Sequence, residues 1–272
     1  MKKVRPPQVA GYFYPAEPNT LHNEIQRMLS EAKLHKTFDK IIGIVSPHAG
    51  YIYSGKTAAF AYNAIKDKDY ETAIVISPSH AEYFPGISIY DGEAYQTPLG
   101  IVEIDEDKAQ KLVEGSKLIF RGIQGHRKEH ALEVQIPFLQ TVLNDFKIVP
   151  IVMGDQSKVF VNELAEKLTE VMDDKTLIVA SSDLSHFYKA NEANLLDSLV
   201  ERRINDFDFE KLQQDLDAHR CEACGGGPII AMMKAAALNN YHKAEVLKRT
   251  DSGDVTGDKS EVVGYLSAVV YE

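Results

Sequence analysis

Short runs of valine and isoleucine recur along the chain, separated by longer amphipathic stretches, and this alternation is the strongest constraint on the fold. Several of the apolar runs are continuous, which is typical of strands buried on both faces of a parallel sheet. They predict strands at residues 41–46, 73–77, 86–90, 148–153, 176–181 and 262–271. The stretches between them predict helices at residues 20–32, 54–65, 106–114, 131–143, 159–172, 193–205 and 229–238.

This order of strand, helix and strand predicts an α/β fold, a three-layer α/β/α sandwich with a mainly parallel, mixed central sheet. No internal repeat, low-complexity tract or linker rich in proline or serine divides the chain. We therefore predict a single domain over residues 1–272. Residues 250–260 are rich in glycine and aspartate and predict a surface turn before the last strand.

The composition disfavours several classes of protein. Forty acidic residues against 30 lysines and arginines give a net charge of −10, which opposes binding to nucleic acid or to anionic membranes. Two cysteines in 272 residues exclude a disulfide-dense secreted scaffold. Residues 1–7 are not followed by an apolar stretch, and the longest uncharged run, 41–55, is too short to span a bilayer. We expect a cytoplasmic protein that binds neither nucleic acid nor membrane.

Polar side chains follow three of the predicted strands. His48 follows the first of them, His80 the second, and Asp183 and His186 follow the strand at 176–181. Because the carboxyl ends of parallel strands share one edge of a sheet, we expect these side chains to lie together. The 32-residue spacing of the two histidines matches one βαβ unit and predicts adjacent strands. Such a cluster is typical of a metal site or an acid–base site.

Cys224 precedes three glycines, Pro228 and the predicted helix at 229–238. Glycines let the backbone approach a ligand closely, and a helix N-terminus favours a thiolate. A Cys224 thiolate with His48 and His80 would form a two-histidine, one-cysteine set that suits a transition metal. The alternative is a buried, inert cysteine. Cys221 completes a single CxxC, and the second pair that a zinc ribbon needs is absent from the sequence.

Further residues are candidates for substrate binding. His130 and Glu133 lie three apart on one face of a predicted helix, as a substrate contact or as part of a surface charge cluster. Tyr14 and Tyr51 belong to aromatic loops that either wall a pocket for a planar ligand or simply pack. The remaining five histidines are expected to face solvent: His22, His35, His126, His219 and His242.

The ordered motifs resemble those of the Memo family, the MEMO1-like proteins, which are called AmmeMemoRadiSam system protein B in prokaryotes. The resemblance covers nearly the whole chain. It rests on AGYFYP at 10–15, SPHAGY at 46–51, SPSH at 77–80, EHALE at 129–133, SSDLSH at 181–186, CGGGPI at 224–229 and VGY at 263–265.

The resemblance implies a fold similar to that of the LigB-like class III extradiol dioxygenases. Those enzymes hold Fe(II) with two histidines and one glutamate, and a further histidine acts as acid and base. By that resemblance His48 and His80 match the histidine ligands, Cys224 replaces the carboxylate ligand, and His186 matches the acid–base histidine. A thiolate is softer than a carboxylate and favours copper or zinc, or iron held differently.

Two functions follow as hypotheses. The first is a metal-dependent, dioxygenase-like oxidoreductase that holds one transition-metal ion (iron, copper or zinc) and acts on an unknown small molecule. In it Asp183 orients His186 as the proton carrier, and the substrate is bound by His130, Glu133, Tyr51 and Tyr14. The second is a non-catalytic module that binds a peptide or protein in the vestigial cleft. The family name further implies AMMECR1-like and radical-SAM proteins as partners.

Overall fold

The chain folds around a nine-stranded mixed sheet in the structure, a computed structural model that describes residues 3–272. A second sheet, of three short strands, lies beside it. In chain order the strands are β1 (Val4–Arg5), β2 (Ile41–Ser46), β3 (Thr72–Pro78), β4 (Ile87–Tyr90), β5 (Ala94–Thr97), β6 (Gly100–Glu103), β7 (Ile119–Gly122), β8 (Lys147–Met153), β9 (Thr176–Ser181), β10 (His186–Tyr188), β11 (Lys243–Asp251) and β12 (Val262–Tyr271).

Four parallel strands form the centre of the large sheet, in the order β2, β9, β3, β8. Every residue of β2, β3 and β9 is buried, as their continuous apolar runs predict. Antiparallel strands extend this centre: β12 pairs with β2 and carries β11, while β4 pairs with β8 and carries β7 parallel to itself. The small sheet contains β1, β5 and β6. The predicted mainly parallel, mixed sheet is confirmed.

The prediction that the strands leading to His48 and His80 are neighbours is wrong. β9 lies between β2 and β3 and pairs in parallel with both. After β3, the chain later adds β8 on the side of β3 that faces away from β2. It then forms β9, which occupies the position between β2 and β3. As a result the segment that carries Asp183 emerges between the two histidine segments, at the same edge of the sheet.

Helices cover the sheet and complete the predicted three-layer α/β/α sandwich. They are α1 (Pro18–Glu31), α2 (Tyr51–Ile65), α3 (Glu106–Val113), α4 (Ile136–Val142), α5 (Lys158–Thr169), α6 (Ala190–Asn205), α7 (Phe209–Asp217), α8 (Gly226–Leu238) and α9 (Gly253–Thr256). The first, second and fourth pack together, as do the fifth, seventh and eighth. Within residues 3–272, none of the helices combines the length and the apolar character that crossing a bilayer requires.

Helix α8 lies directly against the sheet, which fixes the position of the segment before it. A Cβ atom on Gly43 of β2 would lie 2.4 Å from the Met232 sulfur of α8 and 2.8 Å from the Ile178 carbonyl oxygen of β9, so a side chain there would displace Met232 and press on strand backbone. The helix is apolar along most of its length and its first eight residues are buried. Removing these apolar side chains from water contributes strongly to the free energy of folding. It also anchors the Cys224 segment at the carboxyl edge of the sheet.

A buried ion pair ties the start of the chain to the segment before α4. Arg5 is 4% exposed, and its Nη1 lies 2.7 Å from Glu133 Oε2. The same carboxylate accepts hydrogen bonds from the backbone amides of Gln8 and Val9 and from the Tyr14 hydroxyl. A buried charge is tolerated where a partner and further hydrogen bonds satisfy it, as they do here.

The expectation that His126 faces solvent is wrong. Its ring is buried, with Nδ1 2.6 Å from the Tyr95 hydroxyl and Nε2 3.1 Å from the Ser88 carbonyl oxygen. Burial lowers its pKa to about 3, so the ring is neutral. The basic residues around it in sequence belong to an exposed stretch, and only tertiary packing turns this ring inward. The other four histidines expected at the surface are exposed: His22, His35, His219 and His242.

Replacing Glu133 by alanine is expected to lower the free energy of unfolding by about 3–5 kcal/mol, because Arg5 would remain buried without its partner. Urea titration followed by circular dichroism measures this loss. Glu170→Ala, which removes an exposed ion pair with Lys167, is the matched control and should change little. Equal losses of unfolding free energy in the two variants would show that the buried ion pair stabilises the protein no more than an exposed one.

Candidate metal centre

Two histidines meet at the carboxyl edge of the central strands. His48 lies two residues beyond β2 and His80 two residues beyond β3. Their ring centroids are 5.1 Å apart and the rings meet edge to face. The loop after β9 braces this arrangement, since Asp183 Oδ1 accepts a hydrogen bond of 2.7 Å from the His48 backbone amide. The sequence prediction that strand ends bring these residues to one edge agrees with this geometry.

Cys224, in the segment just before α8, lies close to both histidines. Its Sγ lies 3.1 Å from His48 Nε2, and one donor atom from each of His48, His80 and Cys224 lies within 4.8 Å of the others. The next residue, Gly225, packs so tightly that a Cβ atom there would lie 2.1 Å from the Ser181 carbonyl oxygen. Glycine at this position therefore lets the cysteine reach the histidines.

The surroundings of Cys224 oppose the thiolate that a helix N-terminus was expected to favour. Burial, with the nearby Asp183 carboxylate, raises the pKa of the thiol well above its usual range. The first amides of α8 are already used, since Gly227 N donates to Gln156 Oε1. A bound metal ion would supply the positive charge that thiolate formation needs.

Ser181 fixes the tautomer of His48. Its hydroxyl donates to the Ala131 carbonyl oxygen and accepts from Gln135 Nε2, both at 2.7 Å. A hydroxyl has one hydrogen to give, so its 2.9 Å contact with His48 Nδ1 must be donated by the ring. Nδ1 therefore carries the proton and Nε2 presents its lone pair to the cluster. Burial and the neighbouring histidines lower the pKa of His48, which keeps the ring neutral.

Glu129 performs the same function for His80. One carboxylate oxygen lies 2.9 Å from His80 Nδ1, and the other accepts a hydrogen bond from the His80 backbone amide. Burial opposes ionisation of Glu129, but the hydrogen bonds from His80 and from backbone amides lower its pKa to about 2. The carboxylate in turn raises the pKa of His80 against the effect of burial. His80 Nδ1 is thus engaged and Nε2 remains for a ligand.

His130 completes a triangle of imidazoles. Its ring centroid lies 5.0 Å from that of His80, 5.6 Å from that of His48 and 4.7 Å from that of Phe13. With His80 and Glu129 it forms a second group of donor atoms close enough to hold an ion. We assign Glu129 to orientation, because its oxygens already accept hydrogen bonds from His80, His130 and Ala131. Burial lowers the pKa of His130, so its ring is neutral.

Asp183 and His186 lie at the same edge, but Asp183 is engaged elsewhere. Its carboxylate binds the His48 amide and lies 3.9 Å from His48 Nε2, so it positions the His48 loop. Burial raises the pKa of Asp183 to about 7. His186 begins β10 and is partly buried, which lowers its pKa. The acid–base role of His186 stays a prediction; its predicted orientation by Asp183 is not among the contacts seen.

The predicted substrate-binding residues differ in their access to solvent. His130 lies on a cleft surface, whereas Glu133 is fully buried in its ion pair with Arg5. The hydroxyl of Tyr14 donates to Glu133, and that of Tyr51 donates to the Val134 carbonyl oxygen. Both tyrosine rings are buried. Their packing supports the site from behind, which is the alternative that the sequence left open.

A cleft of about 570 Å³ opens beside the cluster. His130, Asp183 and His186 lie at its inner wall, and aromatic side chains form its outer walls: Tyr12, Phe13, Tyr53 and, from β10, Phe187. Both predicted aromatic segments therefore line a cavity, but through the neighbours of Tyr14 and Tyr51, and the second segment is the first turn of α2, not a loop. A second cavity of about 370 Å³ borders Cys221, Cys224 and the other side of His186.

Sequence reasoning missed Glu129 and Ser181, which orient the two candidate histidine ligands. Glu129 directly precedes His130, and Ser181 ends a predicted strand two residues before Asp183. The usable signal is chemical. A histidine that binds a metal generally donates its second ring nitrogen to a carboxylate, hydroxyl or carbonyl oxygen. Such an acceptor can be sought in the sequence but placed only by the fold.

Fold and site together define an α/β/α protein with a nitrogen and sulfur donor set at the carboxyl edge of its sheet. The family model described as Memo-like protein matches residues 5–269. A MEMO1 family protein of Thermoplasma volcanium is 37% identical over 267 residues, covering 98% of each chain. A MEMO1 family protein of Methanocaldococcus jannaschii is 36% identical over 287 residues, covering 99% of this chain and 100% of that one. The chain belongs to the Memo family, which confirms the resemblance of its motifs.

Among solved structures, an uncharacterized protein of Escherichia coli K12 superimposes with a TM-score of 0.55. The alignment covers 85% of this chain and 100% of the other, with 14% sequence identity. At that identity the likeness shows a common fold and nothing about activity.

Nitrogen-15 NMR of the metal-free protein tests the assigned tautomers. At mildly alkaline pH, His48 and His80 should both carry their proton on Nδ1, because Ser181 and Glu129 accept it. Ser181→Ala should release His48 into a mixture of tautomers and leave His80 unchanged. Exposed His22 serves as the unrestrained reference. A His48 ring protonated on Nε2 in the unaltered protein would refute the assignment.

Proposed function

We propose that His48, His80 and Cys224 bind one transition-metal ion and that the protein uses it in redox chemistry on a small molecule in the adjacent cleft. The observation that carries the proposal is the convergence of their donor atoms within 4.8 Å of one another. Each histidine in the set also has its Nδ1 engaged by a separate acceptor. Convergence combined with orientation distinguishes a ligand set from a chance cluster of polar residues.

The donor set fits a transition metal. Two imidazoles and one thiol are ligands that copper, zinc and iron accept, and the sulfur makes the set softer than two histidines with a carboxylate. Three protein ligands leave coordination positions open, as in catalytic sites and unlike closed structural sites. The three ligands come from segments far apart in sequence, so it is the fold that brings them together.

A bound ion would supply Lewis acidity or one-electron chemistry at this edge of the sheet. The protein's own groups would orient and protonate. Glu129 and Ser181 hold the two imidazoles in place, and Asp183 holds the His48 loop. His130 and His186 are neutral bases on the cleft wall, each with its pKa lowered by burial. Either is placed to take a proton from a molecule in the cleft or return one to it.

The alternative function is a non-catalytic module that binds a peptide or protein in the same cleft. It requires no metal, so measurement of metal content separates the two proposals. The partners implied by the family name, the AMMECR1-like and radical-SAM proteins, stay predictions, as does the cytoplasmic location.

Metal analysis of the untagged protein tests the proposal directly. After separate reconstitution with iron(II), copper and zinc, at least one of these metals should remain bound at about one ion per chain. Cys224→Ala and His48→Ala should lose most of it, because each removes a ligand. Cys221→Ala is the matched control, since this cysteine is free and lies three residues away, and it should keep the metal. Equal and negligible metal in all four proteins would refute the proposal.

Oxygen uptake by the loaded protein tests the finer chemistry. We expect ring cleavage of catechols to be absent or slight, because a thiolate replaces the carboxylate ligand of the extradiol enzymes. Oxygen consumption and product absorbance with catechol are the measurements. Catechol cleavage that disappears in Cys224→Ala would show that the thiolate does not prevent it.

Substitution of the orienting residues should weaken metal binding without unfolding the protein. For Ser181→Ala and Glu129→Gln we expect metal affinity to fall about 10- to 100-fold, because each loses an acceptor or a charge that holds a ligand histidine. Competition with a chelator measures the affinity, and circular dichroism checks the fold. Ser30→Ala, at an exposed hydroxyl, is the control. Unchanged affinity in the folded variants would show that the histidines need no such support.

A further inference from the structure

The outer part of the cleft has features that the proposed metal chemistry does not use. Aromatic side chains stand open to solvent around its mouth, with Tyr12 88% and Phe187 72% exposed. Exposed apolar groups that gather around a cavity mark binding surfaces more often than those scattered singly. The cleft volume of about 570 Å³ lies in the range of small-molecule sites.

The backbone at Phe187 is strained in a way that favours a binding role. Its φ angle is 65°, a left-handed conformation that a phenylalanine rarely adopts. Such a conformation persists only where the surrounding structure enforces it, and it is enriched at ligand sites. Here it occurs in β10, directly after His186, whose ring centroid lies 5.8 Å from that of Phe187. The strained residue therefore lines the same cleft as the candidate proton carrier that precedes it.

The charged residues that line the cleft, histidines apart, are all acidic: Asp183, Asp258 and Glu261. Asp183 lies at the inner wall, while Asp258 and Glu261 are exposed at the outer one. The Asp258 carboxylate accepts hydrogen bonds from the Ser260 amide and hydroxyl, which hold it in place. Neither outer carboxylate has a salt bridge recorded among residues 3–272.

The lysine beside these acids is engaged elsewhere. Lys259 Nζ lies 2.7 Å from Asp251 and 2.7 Å from Asp254, both outside the cleft. The outer cleft therefore carries negative charge, on the same cavity surface as exposed aromatic rings. An organic cation gains from both, since ammonium groups are attracted to carboxylates and to the faces of aromatic rings.

We propose that the cleft binds an organic cation, an ammonium group joined to an aromatic or apolar body. The body would lie against Tyr12, Tyr53 and Phe187, and the ammonium group would face Asp258 and Glu261. This assigns the polar loop at 252–261 a specificity role that its sequence alone did not reveal. The inference rests on the proposed function in taking this cleft as the entrance to the metal centre, and it names the class of molecule that enters.

Three ligands of nearly equal shape but different charge test whether the cleft prefers a cation. Phenethylammonium is the cation, 2-phenylethanol the neutral analogue and phenylacetate the anion, each titrated by calorimetry into the full-length protein. We expect the cation to bind most tightly and the anion most weakly. Added salt should weaken cation binding, because screening reduces the attraction of exposed carboxylates.

A double substitution tests whether the two outer carboxylates bind the cation. Asp258→Asn with Glu261→Gln should weaken cation binding by roughly three- to tenfold and leave the alcohol unaffected, because only the charges change. Asp107→Asn with Glu114→Gln removes the same charge from the exposed surface near α3 and should leave cation binding unchanged. Tyr12→Ala should weaken binding of both the cation and the alcohol.

Anion binding as tight as cation binding, an unaffected double variant, or no calorimetric signal for any ligand would each overturn the inference. Metal content measured on the same preparations keeps the two proposals distinct. If metal binds and the cation does not, only this inference fails. If the cation binds and no metal does, the proposed redox function fails and the cation site stands.

Discussion

The site depends on the pairing of β9 between β2 and β3. Parallel pairing on both sides forces three chain segments to leave the sheet at one edge, and each of them delivers a polar side chain there. The backbone hydrogen bonds of buried strands cannot be exchanged for water, so this register is strongly determined. β2 and β3 themselves are two strand spacings apart, about 9–10 Å, and the residues that follow each strand reduce this to the 5.1 Å between the His48 and His80 ring centroids. The sheet thus sets which segments meet, and the segments after the strands set how closely the rings approach.

A segment before and at the start of α4 supplies most of the buried polar contacts behind the site. Glu129 binds His80, Glu133 binds Arg5, and Gln135 binds Ser181 and accepts from Tyr62. Each of these side chains is almost completely buried, and each would be costly without its partners. One short stretch therefore links the N-terminal segment, the two histidine loops and β9. Its rigidity fixes which ring nitrogen of each histidine faces the cluster.

Much of this arrangement was predictable from the sequence, because buried parallel strands leave continuous apolar runs. The bounds of β2, β9 and β12 match those predicted, and the convergence of His48 and His80 follows from strand ends alone. The strand order was not predictable, since spacing along the chain does not say which strand fills a gap. β11 was missed because it has no continuous apolar run: five of its nine residues are charged, as suits a strand that pairs only with β12. The burial of Tyr14, Tyr51 and Glu133 depends on tertiary contacts that no local pattern records.

The close contact of Gly225 with the Ser181 carbonyl oxygen separates two kinds of change that this chain can accept. The side chain at position 224 points to the histidines, so it can vary in donor type while the backbone stays in place. Position 225 permits no side chain at all, because its neighbour is strand backbone that cannot shift. The donor atom at position 224 can therefore be changed by evolution or by a protein engineer. The backbone at Gly225, which presents that atom, cannot, and it stays fixed while the donor changes.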